Sequence, residues 1–458
     1  MPIRHLIIGN GAAGMSAAEE IRRRDSQADI TLVSDEPFAM YSRPGLAYLL
    51  TDEIPEPRVF CRTPEYYAEH RLRLLFARAA ALDLEHRQVQ LSDGENLAFD
   101  RLLLATGSSA VPATFPGSAL DGVVYLDTLN NVRDIVRRIE NGARAAVIVG
   151  GGITAMELAE GLAHRHLTVH YLLRKKTIWS ALLTPEESQI VESHARTLGI
   201  QIHYNEEIAE IVGMHGRVKS VVTTGGQRIA CDVVGAAIGV RPNIALAKNA
   251  GLKVDRAIVV NEFLETSAPG VFAAGDAAQV FDHWSGEYRV DDLWPSAIQA
   301  GRAAGANMAG ASVPYIKGVP FNAALLFGVH LTAIGQAGVG ARNGDDANEM
   351  LQYQSRGSSE VWWARPGAVP YTSAWSHQGD NSLRLVLRGN QIVGALILGV
   401  QDLADPLRDL IGQRVDISPI RSRLQMNDAL LGQTVRAFWQ QWQHSKTSIS
   451  VRQFQEVR

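Results

Sequence analysis

Two stretches of the chain share one pattern: a short apolar run, a glycine-rich turn, then apolar positions at helical spacing. The first is His5–Gly14 and the second Ala145–Ala155. Each is followed by an apolar run that ends in a turn of small residues, Leu102–Gly107 (LLLATG) and Val233–Gly239 (VVGAAIG). The second set trails the first by about 140 residues, too far for a solenoid repeat and right for a duplicated dinucleotide-binding unit. The spacing predicts a strand over 3–8, a helix over 12–24 with Met15 and Ile21 inward, and a strand over 29–33. Residues 35–44, punctuated by prolines, read as a loop. The pattern restarts with a strand at 145–149, a helix at 154–166 and a strand at 168–173. A further helix begins after Thr184-Pro185-Glu186, where proline suits a first turn.

After Gly310 the texture changes. Residues 320–458 lack phosphate-loop glycines and hold five of the eight tryptophans. LRLVLRGNQIVGALILG (383–399) reads as two strands around a Gly-Asn turn. The tail, 426–444, reads as a helix whose Trp439 and Trp442 pack against its own domain. The expected architecture is α/β, with two nested Rossmann-like domains and a C-terminal α+β domain. The expected segments are 1–113 and 239–312 for the first dinucleotide domain, 114–238 for the second, and 313–458 for the last. Pro112, Pro116 and Gly117 mark the first linker.

Composition narrows this picture little. The 458 residues are 46% hydrophobic and 20% charged, with a net charge of -4, so no feature favours nucleic acid or an anionic membrane as partner. No apolar run is long enough to span a bilayer. The N-terminus does not read as a signal peptide, which leads to the expectation of a cytoplasmic protein. Cys61 and Cys231, the two cysteines, form no CxxC or CxxxxC pair, which argues against a zinc framework and a redox dithiol. Each reads as a small buried hydrophobe.

The turns carry the candidate chemistry. Gly9-Asn10-Gly11-Ala12-Ala13-Gly14 follows a strand and opens a helix, the context in which GxGxxG binds a pyrophosphate. Gly9 makes the tight turn, Gly11 admits the diphosphate, and Gly14 lets helix and strand close up. The helix N-terminus offers N–H donors and a positive dipole end. Asp35 and Glu36, just past the second strand, are placed for ribose hydroxyls. The second turn is Gly150-Gly151-Gly152-Ile153-Thr154-Ala155. An acid at the end of its next strand would select the 2′-hydroxyl of NAD; that position is Leu173, followed by Arg174-Lys175-Lys176. Cations there accommodate a 2′-phosphate, which favours NADPH over NADH. Spacing alone leaves open which loop holds which dinucleotide.

The motifs HLIIGNGAAG, LLLATGSS, VIVGGGITAMELAE and TSAPGVFAAGDAA make residues 1–310 resemble pyridine-nucleotide-dependent flavoprotein reductases with two nested Rossmann domains. The resemblance implies FAD on the first loop and NAD(P)H on the second. It also implies flavin contacts from Gly275-Asp276, Thr106 and Gly107, and adenine contact from Ala79; Gly239, which closes the second small-residue turn, is a further cofactor-site candidate. Ala297 would begin a helix aimed at the flavin pyrimidine. Glu157 falls where the family places a carboxylate near the nicotinamide amide.

The segment SDEPFAMYSRPGLAYLL (34–50), with Arg43 near the FAD adenine and phosphates, is similar to the branch of ferredoxin, rubredoxin and nitrite reductase flavoproteins. Three departures stand out: the branch's lysine falls on Tyr48, its serine on Ala47, and its gating aromatic on Ile153. No dithiol supports disulfide reduction, and no iron–sulfur or siroheme region is recognised, so nitrite reduction by this chain alone is not expected. The resemblance implies hydride transfer from NAD(P)H to flavin, then electron delivery to a ferredoxin or rubredoxin-type carrier. No side-chain acid or base is required for the first half. Arg71, Arg73 and Arg78 are candidates to dock an acidic carrier. The alternatives are an NAD(P)H oxidase or quinone-type reductase, and an NAD(P)H-sensing flavoprotein subunit. A homodimer is compatible with all three.

Overall fold

The computed structural model describes residues 2–284, 286–338, 371–426 and 430–455. The chain divides into two units, one built from residues up to Lys176 and from Leu198–Lys317, the other from Thr177–Thr197 and the described residues after Gly318. The first unit holds two parallel five-stranded sheets. In the first sheet the strand order is Val271–Ala273, Arg101–Leu104, Arg4–Ile8, Asp29–Ser34, Arg73–Phe76. In the second it is Gln201–Tyr204, Thr168–Leu173, Ala145–Val149, Val233–Ala236, Val123–Val124. The second sheet is thus inserted in sequence within the first.

These strands read as continuous apolar runs because both faces of a parallel sheet are covered. Ile7, Leu32, Leu102, Leu103 and Leu104 in the first sheet, and Val147 and Ile148 in the second, are fully buried. The first-loop helix α1 (Ala12–Arg24) covers one face of the first sheet. A short helix α2 (Gly45–Leu50) follows the proline-rich loop. The second-loop helix α3 (Ile153–His164) packs on α2, where Gly161 has no side chain and Leu50 fills the space.

The chain then leaves the second sheet. Helix α4 (Pro185–Thr197) belongs to the other unit, and the path returns to the second sheet at Gln201. Helix α5 (Trp294–Met308) lies against α1. Its Gly301 and Gly305 stand over the backbone of Ala13 and Ala17; a Cβ on them would come within 2.2 and 2.5 Å of those carbonyl oxygens.

The second unit centres on an antiparallel sheet ordered Phe321–Leu326, Val329–Gly335, Gln391–Leu398, Asn381–Arg388, Tyr371–Gln378. The Gly-Asn turn expected at 389–390 joins two of these strands. The Arg384 guanidinium, 5% exposed, donates to the equally buried Glu187 of α4 at 2.8 and 3.2 Å and to the Leu182 and Ala337 carbonyls. The tail is helical over Leu431–Gln455, and its Trp439 indole donates to Asp409 of the same unit. Residues 427–429, the start of the expected tail helix, lie outside the described residues.

Candidate functional site

A cleft of the first unit opens at the C-terminal ends of the first sheet's strands. In an open parallel sheet that is where ligands bind. Gly9 sits at φ +118°, with any Cβ 2.1 Å from the Ala105 carbonyl oxygen, so the turn needs glycine. Gly14 is pressed against the Gly9 carbonyl and serves packing, below the cleft. A Cβ on Gly11 would meet nothing within 4 Å, leaving the start of α1 open to the cleft. No side chain caps α1, and no acid lies in its first turn. Its leading N–H groups therefore form a ready anion cradle. The start of α5 also borders the cleft, through Trp294 and Ala297, and is likewise uncapped by a side chain.

The polar wall is tightly wired. Tyr41 donates its hydroxyl to both Glu36 oxygens at 2.9 and 3.1 Å, and Arg43 Nη2 donates to Glu36 Oε2 at 2.5 Å. Arg43 also donates to the Asp127 carbonyl and stacks over the Tyr41 ring. Burial raises the Tyr41 phenol well above its ordinary range, and the Glu36 charge adds to this, so it stays a donor. Ser108 donates to Asp276 Oδ2 at 2.6 Å. Thr106 and Asn243 form a reciprocal pair at 2.7 and 2.9 Å, tying the LLLATG turn to the RPN turn.

The second glycine turn repeats the geometry. Gly150 lies at φ +146°, with a Cβ position 2.2 Å from the Ala237 carbonyl oxygen; Gly151 is open; no side chain caps α3 at Gly152. Thr154 and Glu157, on the first turns of α3, line the same cleft as the first loop. Burial, with Glu160 one turn on, pushes the Glu157 carboxyl up to about 8. At the end of the strand Thr168–Leu173, Arg174 Nε lies 3.8 Å from Glu207 Oε1. Cys61 and Cys231 are both free thiols.

The family described as pyridine nucleotide-disulphide oxidoreductase matches residues 3–301. The chain belongs to that family. A NADH oxidase of Methanocaldococcus jannaschii is 32% identical over 322 residues, spanning 68% of this chain and 71% of that protein. A rubredoxin-NAD(+) reductase of Pseudomonas putida is 28% identical over 311 residues, spanning 68% and 80%. Among solved structures, a putidaredoxin reductase in covalent complex with putidaredoxin superposes with TM-score 0.81 at 24% identity, over 96% of this chain and 99% of that one. A ferredoxin reductase from Rhodopseudomonas palustris superposes with TM-score 0.78 at 23% identity, over 91% and 96%. At these identities the structures establish the shared fold, and this chain is an oxidoreductase of that fold.

The cleft brings together Gly9, Asn10, Gly11, Ala12, Ala13, Asp35, Glu36, Arg43, Thr106, Gly107, Asp276, Ala297, Thr154 and Glu157. It does not bring in Gly14, Ala79, Gly150, Gly152, Ile153, Arg174, Lys175 or Gly239. Ala79 begins a strand of a small antiparallel sheet. Ile153 is buried, at 2% exposure, because it is the first inward residue of α3. Ala297 is the fourth residue of its helix, not the first; the proline of Trp294-Pro295 starts the helix earlier.

Two expected contacts are partly committed elsewhere. Asn10 donates to the Phe38 carbonyl and accepts from the Tyr67 hydroxyl at 2.8 Å, which fixes the loop. Glu36 is held by Tyr41 and Arg43, whereas the neighbouring Asp35 is exposed. Sequence reasoning did not single out Tyr41, Asp127, Asn243, Asp292 or Trp294. The Arg-Pro-Asn after GAAIGV was the one available signal for Asn243.

Proposed function

We propose that the chain binds FAD on the first glycine loop and NAD(P)H on the second, takes hydride onto the flavin, and passes electrons to a small carrier protein such as a ferredoxin or rubredoxin. The observation that carries this is the single cleft shared by the start of α1, Asp276, the start of α5, and Thr154 and Glu157 of the second-loop helix. The fit to FAD rests on two features: an uncapped helix start for the diphosphate, and carboxylates at Asp35 and Asp276 for hydroxyl groups. When bound, the flavin supplies two-electron uptake from the nicotinamide and one-electron release. The residues named here bind and orient. The relatives that act with rubredoxin or putidaredoxin by name favour a carrier as acceptor. Purified protein should be yellow, and anaerobic NAD(P)H should bleach it. A colourless protein, or no bleaching, would refute the reading.

A direct oxidase activity is the second reading, favoured by the similarity to a NADH oxidase. Turnover with ferredoxin or rubredoxin well above the oxygen rate decides for the carrier. For the nucleotide we propose a preference for NADPH, through Arg174 and Lys175. Glu207 beside Arg174 tempers it, since an exposed pair of this kind is worth under about 1 kcal/mol and yields to a 2′-phosphate. Arg174→Gln should weaken NADPH about tenfold while leaving NADH within twofold, by stopped-flow flavin reduction. Equal losses for both would count against it.

A further inference from the structure

Glu157 is the most unusual group in the cleft, because nothing balances it. It lies one turn into α3, beside Thr154, on the face turned to the cleft. The second glycine turn ends at Gly152, the N-cap of α3, one turn before Glu157, and Glu157 lines the cleft that the first loop also lines. No hydrogen bond or ion pair reaches the Glu157 carboxyl among the described residues. Its titratable neighbours are acids: Glu160 on its own helix and the Tyr48 phenol from α2. The strands Ala145–Val149 and Val233–Ala236 beneath α3 carry no titratable side chain. On Thr168–Leu173, His170 turns to His203 at 3.0 Å and Tyr171 is buried within the sheet.

We propose that Glu157 couples nucleotide binding to proton release: it keeps its proton beside the neutral reduced nicotinamide and loses it to solvent when the positively charged oxidised ring binds. The balance is simple: a carboxylic acid plus a cationic ring gives a carboxylate beside that ring and one proton in water, with no redox change. The inference rests on the nicotinamide nucleotide occupying the second loop. Burial and Glu160 hold the free carboxyl at about 8, so about nine in ten molecules carry the proton at pH 7. A cation about 4–6 Å away lowers a carboxyl by roughly 1–3 units, which at pH 7 takes it from mostly protonated to about half ionised or more. The coupling makes oxidised nucleotide bind more tightly as pH rises.

The test is calorimetric titration of the oxidised, flavin-loaded protein at pH 7 in two buffers of different ionisation enthalpy, with NAD+ and with ADP-ribose, which lacks the charged ring. NAD+ should release about 0.4–0.9 proton per site and ADP-ribose close to none. Glu157→Gln should bind NAD+ without release. Equal release by the two ligands overturns the proposal, and that comparison needs no variant. Release unchanged in Glu157→Gln also overturns it. If neither this pair nor its 2′-phosphorylated counterparts bind, the underlying assignment of the second loop fails, and the proposal with it.

Discussion

His5 shows what a single residue can conceal. It sits mid-strand in the first sheet at 2% exposure, and neither ring nitrogen has a hydrogen-bond partner. Burial, then the Arg101 charge, pushes the imidazole down to about 4. In the unfolded chain it titrates near its ordinary value of about 6.5. Between those values the unfolded state holds the extra proton, so this residue's contribution falls as pH drops from about 6.5 towards 4. His5→Leu should raise unfolding free energy by about 1–2 kcal/mol at pH 7, since it removes an unsatisfied buried group. The gap should widen at pH 5; urea unfolding at both values measures it, and a constant gap would sink the argument. The sequence placed His5 in a strand but not in this predicament. Glu157 is a similar case: its position was legible, but its weakened acidity depends on which groups the fold excludes. Asn10 was legible as part of a motif, yet its side chain serves the Phe38–Tyr67 anchor.

At the level of elements, period and punctuation carried far. The strands at 4–8, 145–149 and 168–173 and the helix at 12–24 lie where apolar runs and helical spacing put them, and the helix at 185–197 starts at the Pro185 signal. The contact of α1 with α5 was not legible, because glycine inside a helix reads as a weakness. Here Gly301 and Gly305 let two backbones meet. Gly301→Ala would force α1 and α5 apart, costing about 1–3 kcal/mol and dislodging the first loop with it. Gly11→Ala meets open space and an extended backbone, so its stability should stay within about 0.5 kcal/mol while flavin affinity drops tenfold or more. Thermal unfolding of the flavin-free proteins, set beside flavin content, separates the two. Loss of both properties in Gly11→Ala would contradict the cradle.

Across the whole molecule, the nested α/β architecture followed from the duplicated glycine turns, since each must sit between a parallel strand and a helix. The membership of α4 did not. Its sequence lies between two strands of the second sheet, but Glu187 and Arg384 join it to the C-terminal sheet. Contacts so distant along the chain leave no local trace. Arg384→Met should destabilise the C-terminal unit by about 3–5 kcal/mol, because it strands a buried carboxylate. Adding Glu187→Leu should recover most of that loss in denaturant unfolding. If the double variant is as unstable as the single one, the ion pair is not the source.

The excursion of Thr177–Thr197 has a consequence for anyone who treats the C-terminal region as a detachable cassette. A cut after Lys317 removes the sheet but leaves behind α4, with an apolar flank and an acid shaped for an arginine that is gone. Grafting the region onto another reductase fails in the mirror-image way, for want of its helix. Modularity at this boundary requires exchanging two stretches at once, and the shorter one lies inside the nucleotide-binding half of the gene.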